Sequence, residues 1–198
     1  MKIKFASILI TLLFLSACVH KMPLKSVEFQ AHQQLLSPIN QWQFSGKLGI
    51  KTPLDSGSAS IKWQQNVAAY DIQINGPLGQ KSVHIEGDNK SVILKEKGKD
   101  AISAHSPEVL IKQVTGWDFP LTQLNYWIRG LPAPKTKIKQ ITPNNMGLIA
   151  QLQQSGWTID YQSYHQLTLN DQLIYLPKKI TAHYQDIRLT LIVHEWTL

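Results

Sequence analysis

The side chain whose position most clearly predicts chemistry is the thiol of Cys18, the single cysteine among 198 residues. It follows Leu-Ser-Ala at positions 15–17 and an apolar run at 5–15 that is preceded by Lys2 and Lys4, which is the layout of an export signal. That run is too short to cross a bilayer, since a membrane-spanning helix needs about 20 apolar residues. Small residues that lead into a cysteine are typical of a bacterial lipobox, where the signal is cleaved before the cysteine. The pattern therefore predicts acylation of the Cys18 thiol and of the new amino terminus.

The alternative for Cys18 is an ordinary secretory signal followed by a stray buried cysteine. An exported chain with one unpaired thiol is unusual, so the lipobox is the favoured interpretation. With no second cysteine the chain has no internal disulfide, and the hydrophobic core alone must stabilise the fold.

No other stretch has the residue pattern of a catalytic or metal site. The motifs G-x-S-x-G and H-E-x-x-H and the glycine-rich nucleotide-binding patterns do not occur. The seven histidines are dispersed, and no two have the spacing of metal ligands on one helix face. His84, His183 and His194 fall on the polar sides of predicted strands, where we expect solvated side chains. The sequence predicts a protein that is not an enzyme and that uses no cofactor or metal.

Charge and composition suggest which partners to expect. The formal net charge of +7 raises nucleic acid as a partner, but the basic residues are scattered singly and the export signal argues against it. Acidic lipid headgroups or an acidic protein fit better, and we expect a monomer. Six tryptophans and six tyrosines indicate large apolar contact surfaces.

The periodicity of apolar residues predicts one domain after a short tether. Residues 1–17 form the signal peptide, 18–40 a lipidated tether with a short helix that Pro38 ends, and 41–198 the folded domain. Alternation with a period of two predicts strands, with a long connection at 170–179. The predicted strands are 42–50, 57–64, 70–74, 83–85, 91–95, 138–142, 148–154, 157–162, 164–169, 180–185 and 187–196, with a hairpin turn at 87–89.

Two helices interrupt the strands. Ser106, Pro107 and Glu108 supply an N-cap, a first-turn proline and a first-turn acid, and Gly116 closes that helix. The second helix begins at Pro120 and ends near residue 130. Mainly β (α+β) structure is predicted: an antiparallel sheet curled around a helical segment. A packed core and a ligand cavity have the same alternation, and the pattern does not distinguish them.

Several motifs, taken together in their order, resemble those of one known family. They are Trp-Gln-Phe-Ser-Gly-Lys-Leu-Gly-Ile at 42–50, Ile-Asn-Gly-Pro-Leu-Gly at 74–79, Gly-Trp at 116–117 with Pro-Leu at 120–121, Tyr-Trp-Ile-Arg-Gly-Leu-Pro at 126–132, and Gly-Trp-Thr-Ile-Asp-Tyr at 156–161. With the lipobox, the chain resembles the outer-membrane lipoprotein receptor family LolB. The resemblance implies a half-open β-barrel with a helical lid over a hydrophobic cavity. It also implies that the protein is anchored on the periplasmic face of the outer membrane. There it would take acylated lipoproteins from the periplasmic carrier LolA and insert them into outer-membrane lipid, without nucleotide hydrolysis.

Inward-facing residues and the resemblance together give a set of site residues. The predicted lining of the acyl cavity is Trp42, Phe44, Leu48, Ile50, Trp63, Ile72, Ile74, Leu121, Leu124, Trp127, Ile128, Trp157, Tyr161 and Leu191. The turn of Gly76, Pro77, Leu78 and Gly79 is the predicted membrane-insertion loop. In this loop Leu78 is interpreted as a protruding apolar side chain that touches the bilayer, rather than as the tip of a turn that folds back onto the domain. Arg129 is interpreted as a solvated helix end, with a latch on the lid as the alternative.

Three other functions compete with this interpretation. A lipoprotein sensor with a related half-barrel would need a signalling domain for which the chain has no room. A soluble carrier of the LolA type must diffuse, whereas Cys18 anchors this chain. A structural or ligand-binding envelope lipoprotein without transfer activity remains open, and measuring bound lipid would separate it from a receptor.

Overall fold

An antiparallel sheet of eleven strands and three short helices make up the described part of the chain. The computed structural model describes residues 28–77, 82–116 and 118–198. In chain order the elements are α1 (Phe29–Leu36), β1 (Gln41–Lys51), β2 (Ser56–Asn66), β3 (Ala69–Asn75), β4 (Ser82–Gly87), β5 (Val92–Glu96), β6 (Ile102–Ala104), α2 (Pro107–Thr115), α3 (Leu121–Trp127), β7 (Ile138–Pro143), β8 (Ile149–Gln154), β9 (Trp157–Leu169), β10 (Gln172–Tyr184) and β11 (Ile187–Thr197).

The sheet is open, and its strand order places the first and last strands, β1 and β11, at its centre. The order is β6-β5-β4-β3-β2-β1-β11-β10-β9-β8-β7, so nearly every neighbour is a sequential hairpin partner and the first strand pairs with the last. In the described chain β6 and β7 are the two edges, and α2 and α3 connect them. The predicted mainly β fold, an open antiparallel sheet interrupted by helices, is confirmed.

A close approach between β1 and β11 explains one glycine of the first motif. A Cβ on Gly46 would lie 2.2 Å from the carbonyl oxygen of Ile192, and the pairing register shifts between Ser45 and Gly46. Only a residue without a side chain fits such a bulge, which bends the strands locally.

The capping residues that the sequence predicts for α2 cap this helix in the structure. The Ser106 hydroxyl accepts a hydrogen bond from the Val109 amide at 3.3 Å, and Pro107 opens the helix. Gly116 ends it with φ of +77°, a left-handed conformation that glycine adopts without strain. Among the described residues no helix has the length and apolarity needed to cross a membrane.

The prediction of a long connection at 170–179 is wrong. Asn170 and Asp171, with φ of +48° and +60°, make a two-residue turn, and β10 starts at Gln172. Residues 174–177 are all buried, so both faces of β10 are covered there, and the Tyr175 amide donates to Nε2 of His32, on α1, at 3.0 Å. A strand covered on both faces loses the alternation that identifies a half-exposed strand. The short strand β6 was also missed.

Candidate functional site

A cavity of about 330 Å³ lies between the concave face of the sheet and the helices. This volume falls within the range of small-molecule sites in proteins. Strands β1–β5, β10 and β11 form one wall, and α2, α3 and the segment between them form the other. The described residues on the wall are Phe44, Leu48, Ile50, Ile61, Trp63, Ile72, Ile74, Val83, Ile85, Leu94, Glu96, Ile111, Val114, Thr115, Asp118, Phe119, Leu121, Leu124, Ile128, Ile180, Ala182, Ile187, Leu189 and Leu191.

The wall is almost entirely apolar. Its polar members among the described residues are Glu96, Thr115 and Asp118, at the ends of β5 and α2. Both carboxylates are bound to exposed lysines, Glu96 to Lys99 at 2.9 Å and Asp118 to Lys112 at 2.8 Å. An apolar wall with charges only at one end suits an alkyl chain with a polar head, because apolar contacts are non-directional.

The cavity extends to the end of the sheet from which the predicted membrane loop leaves. Ile74 and Val83 lie on the wall and flank the connection between β3 and β4. Gly76 is half-buried and Pro77 is exposed at the start of that connection. Leu78 and Gly79 lie outside the described residues, as does Cys18, so their predicted roles stay predictions.

Ten of the residues predicted for an acyl cavity share this wall: Phe44, Leu48, Ile50, Trp63, Ile72, Ile74, Leu121, Leu124, Ile128 and Leu191. Whether acyl chains occupy the space stays a prediction. The same alternation could have supplied further members, because Ile61 shares a face with Trp63, and Ile187 and Leu189 share one with Leu191. On α2 the three-residue helical spacing of Ile111 and Val114 is the corresponding signal, and Val114 belongs to the apolar side that the sequence gives this helix.

Trp42 is not on the cavity wall, contrary to the prediction. Its ring packs against three others, with centroids 6.0 Å from Phe44, 5.5 Å from Trp63 and 5.6 Å from Trp196. Trp42 lies near the start of β1, at the end of the sheet away from the β3–β4 loop, where these aromatic rings fill the space.

Trp127, Trp157 and Tyr161 are likewise in packed core rather than on the wall. The Trp127 indole donates to Gln154 Oε1 at 2.9 Å, and the Tyr161 hydroxyl donates to the Trp127 carbonyl at 2.9 Å. Trp157 stacks on Tyr184 with centroids 5.2 Å apart. Large aromatic residues with a polar tip settle where the tip finds a partner, and these partners lie between α3 and β8–β9. Burial raises the pKa of Tyr161 well above its usual value, so its phenol stays a neutral donor.

The interpretation of Arg129 as a solvated helix end is wrong. Its side chain is 5% exposed, and its guanidinium donates to the carbonyls of Asn125, at 3.1 Å, and of Ile39. The guanidinium carbon lies 5.2 Å from the centre of the Tyr126 ring. Burial lowers the pKa of Arg129, but an arginine remains charged at neutral pH. Arg129 thus ties the end of α3 to the segment that precedes β1, as the latch alternative requires.

A second, polar pocket of about 330 Å³ lies behind the cavity. Trp63 and Leu121 line both spaces and therefore separate them. Burial and the nearby carboxylates of Glu108 and Asp88 raise the pKa of Tyr70, which lines this pocket, to about 12. A hydrocarbon chain in the cavity would stop at the Trp63–Leu121 partition, because the space beyond it is polar.

The described residues that could hold a metal form a cluster of polar contacts on the outer face. His84 bridges Asp71, at 2.6 Å from Nε2, and Glu86, at 3.2 Å from Nδ1, while Lys95 binds Glu86 at 3.0 Å. Asp71, His84 and Glu86 offer ligand atoms within 4.8 Å of one another. Both imidazole nitrogens are engaged and Lys95 already neutralises Glu86, so the cluster crosslinks β3, β4 and β5. His84 is half-buried here, not solvated as the sequence suggested.

The family comparison agrees with this geometry. The sequence model of the family described as Outer membrane lipoprotein LolB matches residues 40–196. A Cellvibrio japonicus protein named Outer-membrane lipoprotein LolB is 47% identical over 171 residues, which is 86% of this chain and 84% of that protein. A protein of the same name from Pseudomonas paraeruginosa is 38% identical over 168 residues, covering 85% and 80%.

A solved structure supports the fold independently. The LolA superfamily protein NE2245 from Nitrosomonas europaea superposes with a TM-score of 0.52 at 9% identity, covering 87% of this chain and 94% of that one. At that identity the likeness concerns the fold alone. The resemblance drawn from the motifs is confirmed by the family match and the curated relatives. The chain therefore belongs to the LolB family, and it is an outer-membrane lipoprotein of the Lol lipoprotein-localisation pathway.

Proposed function

We propose that this protein is a receptor that accepts acylated lipoproteins from the periplasmic carrier LolA and inserts them into the outer membrane. The observation that carries the proposal is the cavity, a space of about 330 Å³ whose described wall is apolar except at one end. In this proposal acyl chains occupy the cavity and the passenger's protein part remains outside. The acylated amino terminus at Cys18 holds the receptor at its membrane.

The energetics of acyl chains explain why such a cavity is needed. Transfer of one methylene out of water is worth about 0.8 kcal/mol, so a chain of about 15 methylenes gains roughly 12 kcal/mol from an apolar enclosure. A passenger with several such chains cannot cross water unprotected. The chain has no nucleotide-binding motif, so we propose that transfer runs downhill, from weaker acyl binding in the carrier to stronger binding in the receptor and then to the bilayer.

The helices are the part of the wall that can admit a chain with least disruption. Leu121 and Leu124 of α3, and Ile128 just after it, face the cavity, whereas the opposite wall is a continuous hydrogen-bonded sheet. We propose that α2 and α3 act as the lid, with Arg129 holding the end of α3 to Ile39. The β3–β4 loop with Leu78 would touch the bilayer when the passenger leaves.

A cavity variant and a matched surface variant on α2 test the proposal. Ile111 lies on the cavity wall and Gln113 is exposed, two positions further along the same helix. In the exported, soluble Cys18→Ala form, Ile111→Glu should weaken binding of a fluorescent fatty acid about tenfold or more, because it removes a buried aliphatic contact and introduces a carboxylate. Gln113→Glu should bind as the parent does.

The transfer step needs its own measurement. Purified LolA loaded with a triacylated lipoprotein should pass it to the parent and to Gln113→Glu, but poorly to Ile111→Glu. If the parent takes up neither the fatty acid nor the passenger, the protein is a structural envelope lipoprotein. Fatty-acid binding without passenger uptake would indicate a ligand-binding lipoprotein instead.

A further inference from the structure

The turn between β1 and β2 presents a leucine to solvent almost completely. Leu54 is 95% exposed, whereas the next most exposed large hydrophobic residue of the described chain, Val67, is 56% exposed. Single exposed apolar residues are common on protein surfaces. Three further features of this turn, its hydrogen bonding, its place and its charges, distinguish Leu54 from such a residue.

The backbone of the turn is held by Thr52, which is 8% exposed. The Thr52 amide donates to the Asp55 carbonyl at 2.8 Å, and its hydroxyl oxygen accepts from the amides of Leu54, at 3.3 Å, and Asp55, at 3.0 Å. A side chain that binds its own turn in this way fixes the local backbone. Leu54 is therefore presented by an ordered turn, and its exposure does not come from a loose loop.

The turn lies at the end of the sheet that the cavity and the β3–β4 loop share. Asn75, the last residue of β3, pairs with Ser60, and Lys51 pairs with Ser56 at the base of the turn. The turn thus begins four residues beyond the end of β3, which is about 13 Å at 3.3 Å per residue. The two connections leave the sheet two strand spacings apart, or about 10 Å. A flat surface that meets one of them therefore lies within reach of the other.

Two cations lie at the base of the Leu54 turn, on the outer face of the sheet. Lys51 and Arg188 are Cα partners across β1 and β11, and both are exposed. Their neighbours Ile50, Ile187 and Leu189 face the cavity, so these cations face outward. Neither forms an ion pair with a carboxylate anywhere in 28–77, 82–116 or 118–198. Like charges directly opposite each other on a sheet are destabilising, and an external anion would relieve that repulsion.

We propose that Leu54, Lys51 and Arg188, here called the Leu54 patch, form a second membrane contact that docks on a bilayer surface containing anionic lipid. Leu54 enters the interfacial region while the two cations meet lipid phosphates, a combination typical of peripheral membrane contacts. The inference rests on the proposed function, which turns this end of the sheet toward the membrane. It adds a site on a different hairpin from the loop of Leu78.

The acylated chain itself allows a direct test. Because Cys18 is blocked by its lipid, Leu54→Cys introduces the single free thiol, which can carry a nitrobenzoxadiazole fluorophore. Val67→Cys, on the turn at the opposite end of β2, is the matched control, and Leu78→Cys reports on the proposed loop separately. Each labelled protein is reconstituted on vesicles of phosphatidylcholine with phosphatidylglycerol and quenched with aqueous iodide or with a lipid-borne nitroxide.

The expected result is that the label at 54 is quenched by the nitroxide and shielded from iodide, while the label at 67 shows the reverse. If the labels at 54 and 67 are equally accessible to iodide, the inference is wrong. If only the label at 78 is shielded, the second contact is refuted while the proposed loop stands. Shielding at 54 with exposure at 78 supports the second contact and refutes the loop. Shielding at 54 that appears only when LolA is added would assign the patch to protein docking and overturn the inference.

The charge component has a separate prediction. Each cation near an anionic surface contributes about 1 kcal/mol, so Lys51→Gln with Arg188→Gln should lower the ratio of docked to undocked protein about thirtyfold. The control is Lys62→Gln with Lys139→Gln, which removes the same charge from exposed sites elsewhere on the sheet. On vesicles of phosphatidylcholine alone the two pairs should not differ. If both pairs of substitutions lower docking equally, net charge alone explains the contact and the patch is refuted.

Discussion

Gln154 is a buried hydrogen-bonding centre that joins the lid to the sheet, and replacing it gives the sharpest test of how the lid is held. Its side chain is 1% exposed at the end of β8. Its Oε1 accepts from the Trp127 indole and the Ala133 amide, both at 2.9 Å. Its Nε2 donates to the carbonyl of Ala133 and the hydroxyl of Thr136, both at 2.8 Å.

The expected loss follows from the partners that the substitution leaves behind. Gln154→Ala leaves the Trp127 and Ala133 donors without an acceptor at positions that water does not reach, since these residues are 1% and 4% exposed. Each unsatisfied buried group costs about 1–3 kcal/mol, so the free energy of unfolding should fall by about 3–5 kcal/mol. That is a large part of the stability of an ordinary domain. Gln154→Leu restores most of the volume and none of the acceptors, so it should lose nearly as much.

Urea unfolding followed by tryptophan fluorescence measures this loss in the soluble Cys18→Ala form. Gln153→Ala is the control, because Gln153 is only half-buried and its side-chain amide donates to Gln151 Oε1; it should change stability by no more than about 0.5 kcal/mol. A stable Gln154→Leu protein would refute the reasoning, since it would show that the volume and not the hydrogen bonds of Gln154 matters.

Three further predictions concern pH, delivery and the lid. Burial lowers the pKa of His32 from 6.5 to about 4, so on acidification the unfolded chain takes up a proton before the folded chain does. The free energy of unfolding, measured by urea titration, should be highest above pH 6.5 and fall by about 2 kcal/mol between pH 7 and pH 5. His32→Gln should abolish that slope. Leu78→Glu should leave stability within about 0.5 kcal/mol and loading from LolA intact but block delivery to vesicles; poor loading would place Leu78 in the core. Arg129→Met should speed amide exchange in α3 about tenfold and leave β9 unchanged; unchanged α3 would exclude a latch.

The sequence predicts strands correctly where one face of the strand is exposed to solvent, and the prediction fails where both faces are covered. In β1 and β2 the buried residues alternate with half-buried or exposed ones, and the sequence predicts both strands nearly to their ends. In β10 the run from Ile174 to Pro177 has no alternation, because both faces of the strand are covered there. Which helix covers which strand is a long-range fact, and local periodicity carries no information about it.

The apolar cavity wall was predictable in part for a related reason. Alternation places Phe44, Ile72 and Leu191 on the inner face, and that face borders the cavity for much of its area. The same pattern placed Trp42 and Trp157 there as well, although both lie in packed core. The polar groups that hold the lid, Gln154 and Arg129, had no sequence signal, because a glutamine in a strand and an arginine near a helix end are usually exposed.

The distribution of side-chain types suggests why the space between sheet and lid stays unfilled. One aromatic cluster, Trp42 with Phe44, Trp63 and Trp196, fills the end of the sheet away from the β3–β4 loop. A second, with Trp127, Trp157 and Tyr161, fills the side where α3 meets β8 and β9 and is fixed by hydrogen bonds. Between the two clusters the wall is mainly Ile, Leu and Val, whose side chains are shorter than aromatic rings. The two aromatic clusters thus set the size of the cavity, because close-packed rings resist collapse of the lid onto the sheet. They include aromatic residues that the sequence predicted on the cavity wall.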